Sequence, residues 1–159
     1  MASGPSEIIL LIAGLIVAGL VSGVLLESWD DMDRAIEDRG KEGAEDVRTR
    51  ASLVNDPSNM PWDDTDKTAT VYIQNSGETL LNLETVGVYI DSFSLSVSVA
   101  DSSTEWVPGQ IVKFTVDDTS DTLSYTGTND VIMTITVVSS ATGYAGAYTV
   151  SEEVRLVTT

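Results

Sequence analysis

Residues 8–26 read Ile8-Ile-Leu-Leu-Ile-Ala-Gly-Leu-Ile-Val-Ala-Gly-Leu-Val-Ser-Gly-Val-Leu-Leu26, a run of 19 without a charge and with one hydroxyl, Ser22. At 1.5 Å per residue such a helix is about 28 Å long, close to the ~30 Å hydrocarbon core of a bilayer. A secretory signal peptide fits less well. No Lys or Arg precedes the run, it is longer than a typical h-region, and Ser28-Trp29-Asp30 is a poor cleavage site. The expectation is a retained, single-pass anchor over 8–26, preceded by a short segment 1–6. Small residues dot the run: Gly19 and Gly23 form a GxxxG pair, and Gly14, Ala18 and Ser22 recur every fourth residue beside it. In lipid, small residues let helix backbones approach, so these five are candidate membrane-helix packing residues.

Outward from the anchor, the helical period continues. Leu25, Trp29, Met32, Ile36, Gly40, Gly43, Val47, Ala51 and Val54 recur at spacings of three and four, which predicts a stalk continuing the helix over 7–54. Trp29, Met32, Ile36, Val47 and Val54 are its candidate seam, either against the chain's own β domain or between subunits. Acid-then-base pairs four apart at Asp30/Arg34, Glu37/Lys41 and Asp46/Arg50 would support the helix. Asn55-Asp56-Pro57 stops it, because the residue before proline is driven out of the α region. A linker over 55–67 follows.

From Thr68 the period changes to two. Val71 and Ile73 alternate with polar neighbours, Asn75-Ser76-Gly77 turns the chain, and Val86, Val88 and Ile90 alternate again. Further strands are expected at 93–99, 111–116, 131–138 and 148–156. Short strands at this spacing over 68–159 predict an immunoglobulin-like antiparallel β-sandwich. The fold class is thus a transmembrane α-helix with a helical extension, followed by an all-β domain.

The chemistry is sparse. The chain of 159 residues has neither His nor Cys, which removes imidazole acid/base catalysis, thiol nucleophiles and the usual zinc sites. No base is placed to activate a serine, and no phosphate-binding glycine loop is present. Acidic clusters at Asp63-Asp64-Thr65-Asp66 and Asp117-Asp118-Thr119-Ser120-Asp121 match no EF-hand loop and read as solvated surface. The expectation is no enzyme, no cofactor, no metal and no small-molecule substrate. With 25 acidic against 8 basic side chains, a net charge of −17 excludes binding to the phosphate backbone of a nucleic acid. The bases that follow the anchor, taken alone, would put the β domain in the cytoplasm, but long domains translocate largely regardless of charge.

Val21-Ser22-Gly23-Val24-Leu25-Leu26, Val54-Asn55-Asp56-Pro57, Thr70-Val71-Tyr72-Ile73-Gln74-Asn75-Ser76-Gly77, Val86-Gly87-Val88-Tyr89-Ile90-Asp91 and Trp106-Val107-Pro108-Gly109-Gln110-Ile111-Val112 occur in that order across most of the chain. Together with the apolar helix they resemble archaeal type IV pilin-like proteins, and within them the FlaG/FlaF type of archaellum accessory protein. The resemblance implies a structural stator component of archaeal motility, anchored in the cytoplasmic membrane with its β domain outside the cell membrane. It also implies self-association, a FlaF-like partner and an indirect link to the S-layer. The all-round acidity resembles haloarchaeal proteins. The alternative is a filament-forming archaellin or pilin-like subunit. Against it, Met1-Ala2-Ser3-Gly4 carries no base before its glycine, and no Asn-x-Ser/Thr sequon occurs. The acid excess itself makes a testable statement. At 1 M salt, screening falls to about 3 Å, so the melting temperature of the chain should rise by roughly 5–10 °C between 0.1 and 3 M KCl; circular dichroism melts checks this, and an unchanged midpoint would contradict it.

Overall fold

The structure, a computed structural model, describes residues 4–159 and divides the chain into two units, up to Lys41 and from Glu42 onward. Each is taken by itself. The first is the greater part of a helix, α1 (Gly4–Arg48), with Pro5 and Glu7 in its first turn. Pro suits that turn because an N–H there has no intrahelical acceptor, and a carboxylate there meets the positive end of the dipole. The helix starts ahead of Glu7, so residues 4–6, expected before it, belong to it; residues 1–3 of that short segment lie outside the described residues. Of the expected ion pairs, Glu37–Lys41 forms at 2.7 Å, whereas Arg34 turns to Asp31 at 3.8 Å instead of Asp30.

The helix ends at Arg48. The expected stalk over 7–54 is therefore six residues too long. Ala51–Leu53 forms a strand, β1, and Val54 continues along it, its N–H donating to the Tyr72 carbonyl at 2.9 Å. Ala51 and Val54 kept the helical spacing by coincidence; in a strand they point to opposite faces, and Ala51 is buried while Val54 is exposed. The expected linker over 55–67 contains a second strand, β2 (Met60–Asp63), whose Met60 and Trp62 are fully buried. With proline in the middle and turn residues on both sides, its alternation was hidden.

The remaining strands fall where the period of two placed them: β3 (Thr68–Asn75), β4 (Gly87–Ile90), β5 (Phe93–Val99), β6 (Ile111–Asp117), β7 (Thr128–Val138) and β8 (Ala147–Thr158). The sheet runs β1-β3-β2-β8-β7-β4-β5-β6, and β6 pairs back onto β3 from Thr68↔Asp117 to Gln74↔Ile111. That ladder closes the sheet into a barrel-like sandwich. β1 and β2 share the other edge of β3, one pairing Leu53–Ala51 with Ile73–Asn75, the other Trp62–Asp63 with Ala69–Thr68. The pairings are antiparallel except one. β2 runs parallel to β8, so the expected purely antiparallel arrangement is corrected there. Closure requires it: the ring β3-β2-β8-β7-β4-β5-β6 has seven strands, and an odd ring cannot close with every neighbouring pair antiparallel.

Alternation fills the interior. Val71, Ile73, Val88, Ile90, Val112, Phe114 and Val116 are fully buried, each flanked by more exposed neighbours. Trp62 and Trp106 are core residues, fully buried. Trp62 meets Tyr125 edge-on with ring centroids 5.7 Å apart, and Trp106 meets Phe114 at 5.3 Å. At one end of the barrel, the buried Asp118 carboxylate accepts from the N–H groups of Ser120, Thr122 and Leu123 at 3.2, 2.8 and 2.6 Å. Burial works to raise its pKa, but the Leu123, Thr122 and Ser120 amides outweigh it and hold the pKa below the ordinary value of 3.8. A lowered folded-state pKa gives stability that is present above the unfolded value and lost as pH falls through the folded one. Asp118→Asn should therefore lower stability at pH 7, by on the order of 1–3 kcal/mol, and flatten the acid limb below pH 4. Denaturant melts at pH 7 and pH 3 check this, and equal losses at both would contradict it.

Candidate functional site

The most constructed place in the second unit is where the helix meets the barrel. Thr49, fully buried, caps the last turn: its N–H and hydroxyl donate to the Glu45 carbonyl at 2.9 and 2.8 Å, and its Oγ1 lies 3.3 Å from that of Thr79. The loop 75–79 then receives the end of the helix. Glu78 N–H donates to the Arg48 carbonyl at 2.9 Å, and Ser76 N–H to the Arg50 carbonyl at 3.1 Å. These bonds satisfy carbonyls that a helix end otherwise leaves open. The loop is held by Asn75, buried completely, whose side-chain amide donates to the carbonyls of Thr79 and Trp106 at 2.8 and 3.0 Å and accepts from Gly77 N–H at 3.1 Å.

A second loop meets the same turn. Ala147 N–H donates to the Asp46 carboxylate at 2.8 Å, and Gly146 N–H to Ser139 Oγ at 2.9 Å. Asp46, expected to pair with Arg50, instead ties the helix to β8. Arg50 lies 5.3 Å from the centre of the Tyr148 ring, a cation–π distance, and Arg48 pairs with Glu78 at 3.4 Å. Glycine makes the closeness possible. A Cβ on Gly77 would strike the Arg48 carbonyl and lie 2.6 Å from the Arg50 nitrogen; one on Gly146 would lie 2.5 Å from both the Glu45 carbonyl oxygen and Thr49 Oγ1. Of this clamp the sequence signalled only the turn at Asn75-Ser76-Gly77. Thr49, Thr79 and Gly146 carried no distinguishing pattern.

The two acidic clusters converge. Lys67 stands between them, its Nζ 2.8 Å from Asp64 and 3.9 Å from Asp121. The hydrogen bond from Lys67 is the main cause that lowers the Asp64 pKa, and Asp64 in turn raises that of Lys67. An internal ammonium thus occupies the position a cation would need, and among the described residues no three acidic side chains gather as metal ligands. Nearby, burial first and then Asp91 push Tyr125 up to about 12.

The predicted helix residues stand exposed. Trp29, Met32, Ile36 and Val47 are 61–73% accessible and Leu26, beside Trp29, is 70%. A shallow groove runs over Leu26, Trp29, Met32 and Ile36, edged by Asp30 and Asp33. Gly14, Ala18, Gly19, Ser22 and Gly23 are also exposed, with open space where a Cβ on each glycine would stand. Val54 belongs to the barrel and is not brought together with the rest of the proposed seam.

Contrasting glycines provide a test of the clamp. Gly146→Ala should cost about 1–3 kcal/mol by overpacking, whereas Gly40→Ala, with open space around it, should be neutral or stabilise the helix by up to about 1 kcal/mol. Thermal melts of the two variants check this, and equal effects would contradict it.

Three comparisons place this architecture. The chain is 30% identical over 95 residues to a flagella-related protein G of Methanococcus voltae, an alignment covering 58% of this chain and 63% of that protein. The chain thus spans less than two thirds of that relative. Among solved structures there is a likeness to AggA, the major subunit of aggregative adherence fimbriae type I from Escherichia coli, with TM-score 0.33 and 8% identity over 70% of this chain and 94% of that one; an overlap that loose bears on nothing further. The family model for archaeal-type flagellin matches residues 2–159, and with that match over almost its whole length the chain belongs to the archaeal-type flagellin family.

Proposed function

We propose that the chain is a structural component of the archaellum, held in the cytoplasmic membrane by residues 8–26, with its β unit on the outer side as part of the stator around the motor. The carrying observation is the likeness to a flagella-related protein G, a protein named as related to flagella rather than as the filament. Family membership supports the archaellum setting. Helix α1 is long and apolar enough to cross a membrane. The clamp supports a mechanical role: a helix end gripped by two loops transmits load into a closed β structure, which we read as an immunoglobulin-like sandwich rolled shut. The role is structural rather than catalytic. Its partners are a FlaF-like protein and further copies of itself, with an indirect connection to the S-layer, and its acidity suits a concentrated-salt setting.

A second reading, a filament-forming archaellin or pilin-like subunit, is favoured by the family description itself. In a filament the apolar helix would pack against neighbouring helices instead of lipid.

Fractionation of a motile strain separates the two. The stator reading expects the chain in washed membranes, absent from sheared filaments, with its N-terminus intact by mass, and expects deletion to abolish swimming while filaments can still be assembled. Recovery in sheared filaments with about four residues removed would establish the filament reading, and normal swimming after deletion would overturn the first.

A further inference from the structure

Helix α1 carries two glycines beyond its apolar run, Gly40 and Gly43, that are not there to make room. At Gly77 and Gly146 a Cβ would collide with the helix end; at Gly40 and Gly43 it would meet nothing within 4 Å. Residues 40–44 are exposed throughout. What glycine supplies at such positions is backbone freedom. In a helix interior each one lowers the helix-forming equilibrium about fivefold relative to alanine. The two stand three residues apart, so both weaken the same turn.

The charges around that turn act in the same direction. Glu42 stands three residues from Glu45 and four from Asp46, the spacings at which like charges on a helix repel. These three acids lie in the last two turns, near the negative end of the helix dipole, with Arg48 as the base of the last turn. Stabilising contacts lie on either side. On the N-terminal side Glu37 pairs with Lys41 at 2.7 Å. On the other, the Thr49 N–H and hydroxyl hold the Glu45 carbonyl, and Ala147 N–H holds the Asp46 carboxylate. The division of the chain into its two units falls between Lys41 and Glu42, inside the same turn. The apolar stripe is interrupted there too: Trp29, Met32 and Ile36 precede, Val47 follows, and the two stripe positions between them are the glycines.

We propose that Gly40–Gly43 is a joint: the helix opens reversibly at this turn, so that its clamped end moves with the barrel and the preceding helix moves with the anchor. In the opened form the chain still carries tension from anchor to barrel, because the clamp lies beyond the joint, but it no longer fixes a direction. The β unit can then follow its neighbours without tilting the anchor. The inference goes beyond the proposed function and does not depend on the choice between a stator part and a filament subunit.

The chain contains no cysteine, so spin labels can be placed uniquely at Asp30→Cys and Val47→Cys, both exposed, in the full-length chain in lipid nanodiscs. A straight helix sets these two backbones about 26 Å apart. Double electron–electron resonance should give a distance distribution in the parent roughly twice as broad as in Gly40→Ala/Gly43→Ala, with the excess at shorter distances. Adding Ala44→Gly to the double variant should restore the breadth, because a joint needs glycine in the turn but not on one particular face. A parent distribution as narrow as that of the double alanine variant overturns the joint. So does a failure of Ala44→Gly to restore the breadth, which would assign the two glycines to the close approach of another helix. Amide exchange is a second readout. The Ala44 N–H, whose helical acceptor is the Gly40 carbonyl, should exchange about tenfold or more faster than the Thr49 N–H in the parent, and slow by a similar factor in the double alanine variant. Equal rates in parent and variant overturn the proposal. Neither readout depends on swimming, so the motility role can fail while the joint stands, and the reverse.

Discussion

The last helical turn, Glu45–Arg48, is gripped by two loops whose backbones come too close for any residue but glycine, at Gly77 and Gly146. That grip is the constraint from which the rest of the architecture of residues 42–159 follows. Thr49 must be buried to cap the turn, and the chain must leave it as an extended strand, which sets β1 on the edge of β3. Asn75 must terminate β3 inside the barrel so that its amide can hold the 75–79 loop. β8 must begin beside Asp46. The first two demands are met through the buried side chains of Thr49 and Asn75, polar groups that are costly to leave unpaired; the third is met by the exposed Asp46. The junction is therefore specified by polar satisfaction more than by apolar burial.

How much of this the sequence disclosed depends on the range of the signal involved. The strands from β3 to β8 announced themselves because alternation is a local property, readable within eight residues. β2 did not, because Pro61 and flanking turn residues hid a four-residue strand whose Met60 and Trp62 are nonetheless fully buried. The helix end was misplaced for the opposite reason: Ala51 and Val54 happened to continue a spacing of three and four into a strand. The clamp was least legible. It joins residues separated by 30 and 101 positions, and no single-sequence pattern links a threonine at the end of a helix to a glycine near the last strand. The two acidic clusters read as solvated surface, which fails for Asp118, buried under the 120–123 amides it accepts from; their meeting around Lys67 arises from strand pairing, Thr68 against Asp117, and is not a sequence motif.

Charge is organised by the same topology. Residues 68–159 hold 11 acidic and 2 basic side chains, and most of the acids fall in turns and at strand ends. The outward positions of β3, at Thr68, Thr70, Tyr72 and Gln74, are free of charge. The acids are thus carried mostly by the loops, and the outward face of β3 is left without charge.

Amide hydrogen exchange on the full-length chain tests the central claim, that the helix end and the barrel form one mechanically continuous piece. The account predicts that the amides of Thr49, Ser76, Glu78 and Ala147 exchange as slowly as those of the central β3–β6 ladder. Exchange at the rate of the exposed loop around Gly143, with the ladder still protected, would contradict it.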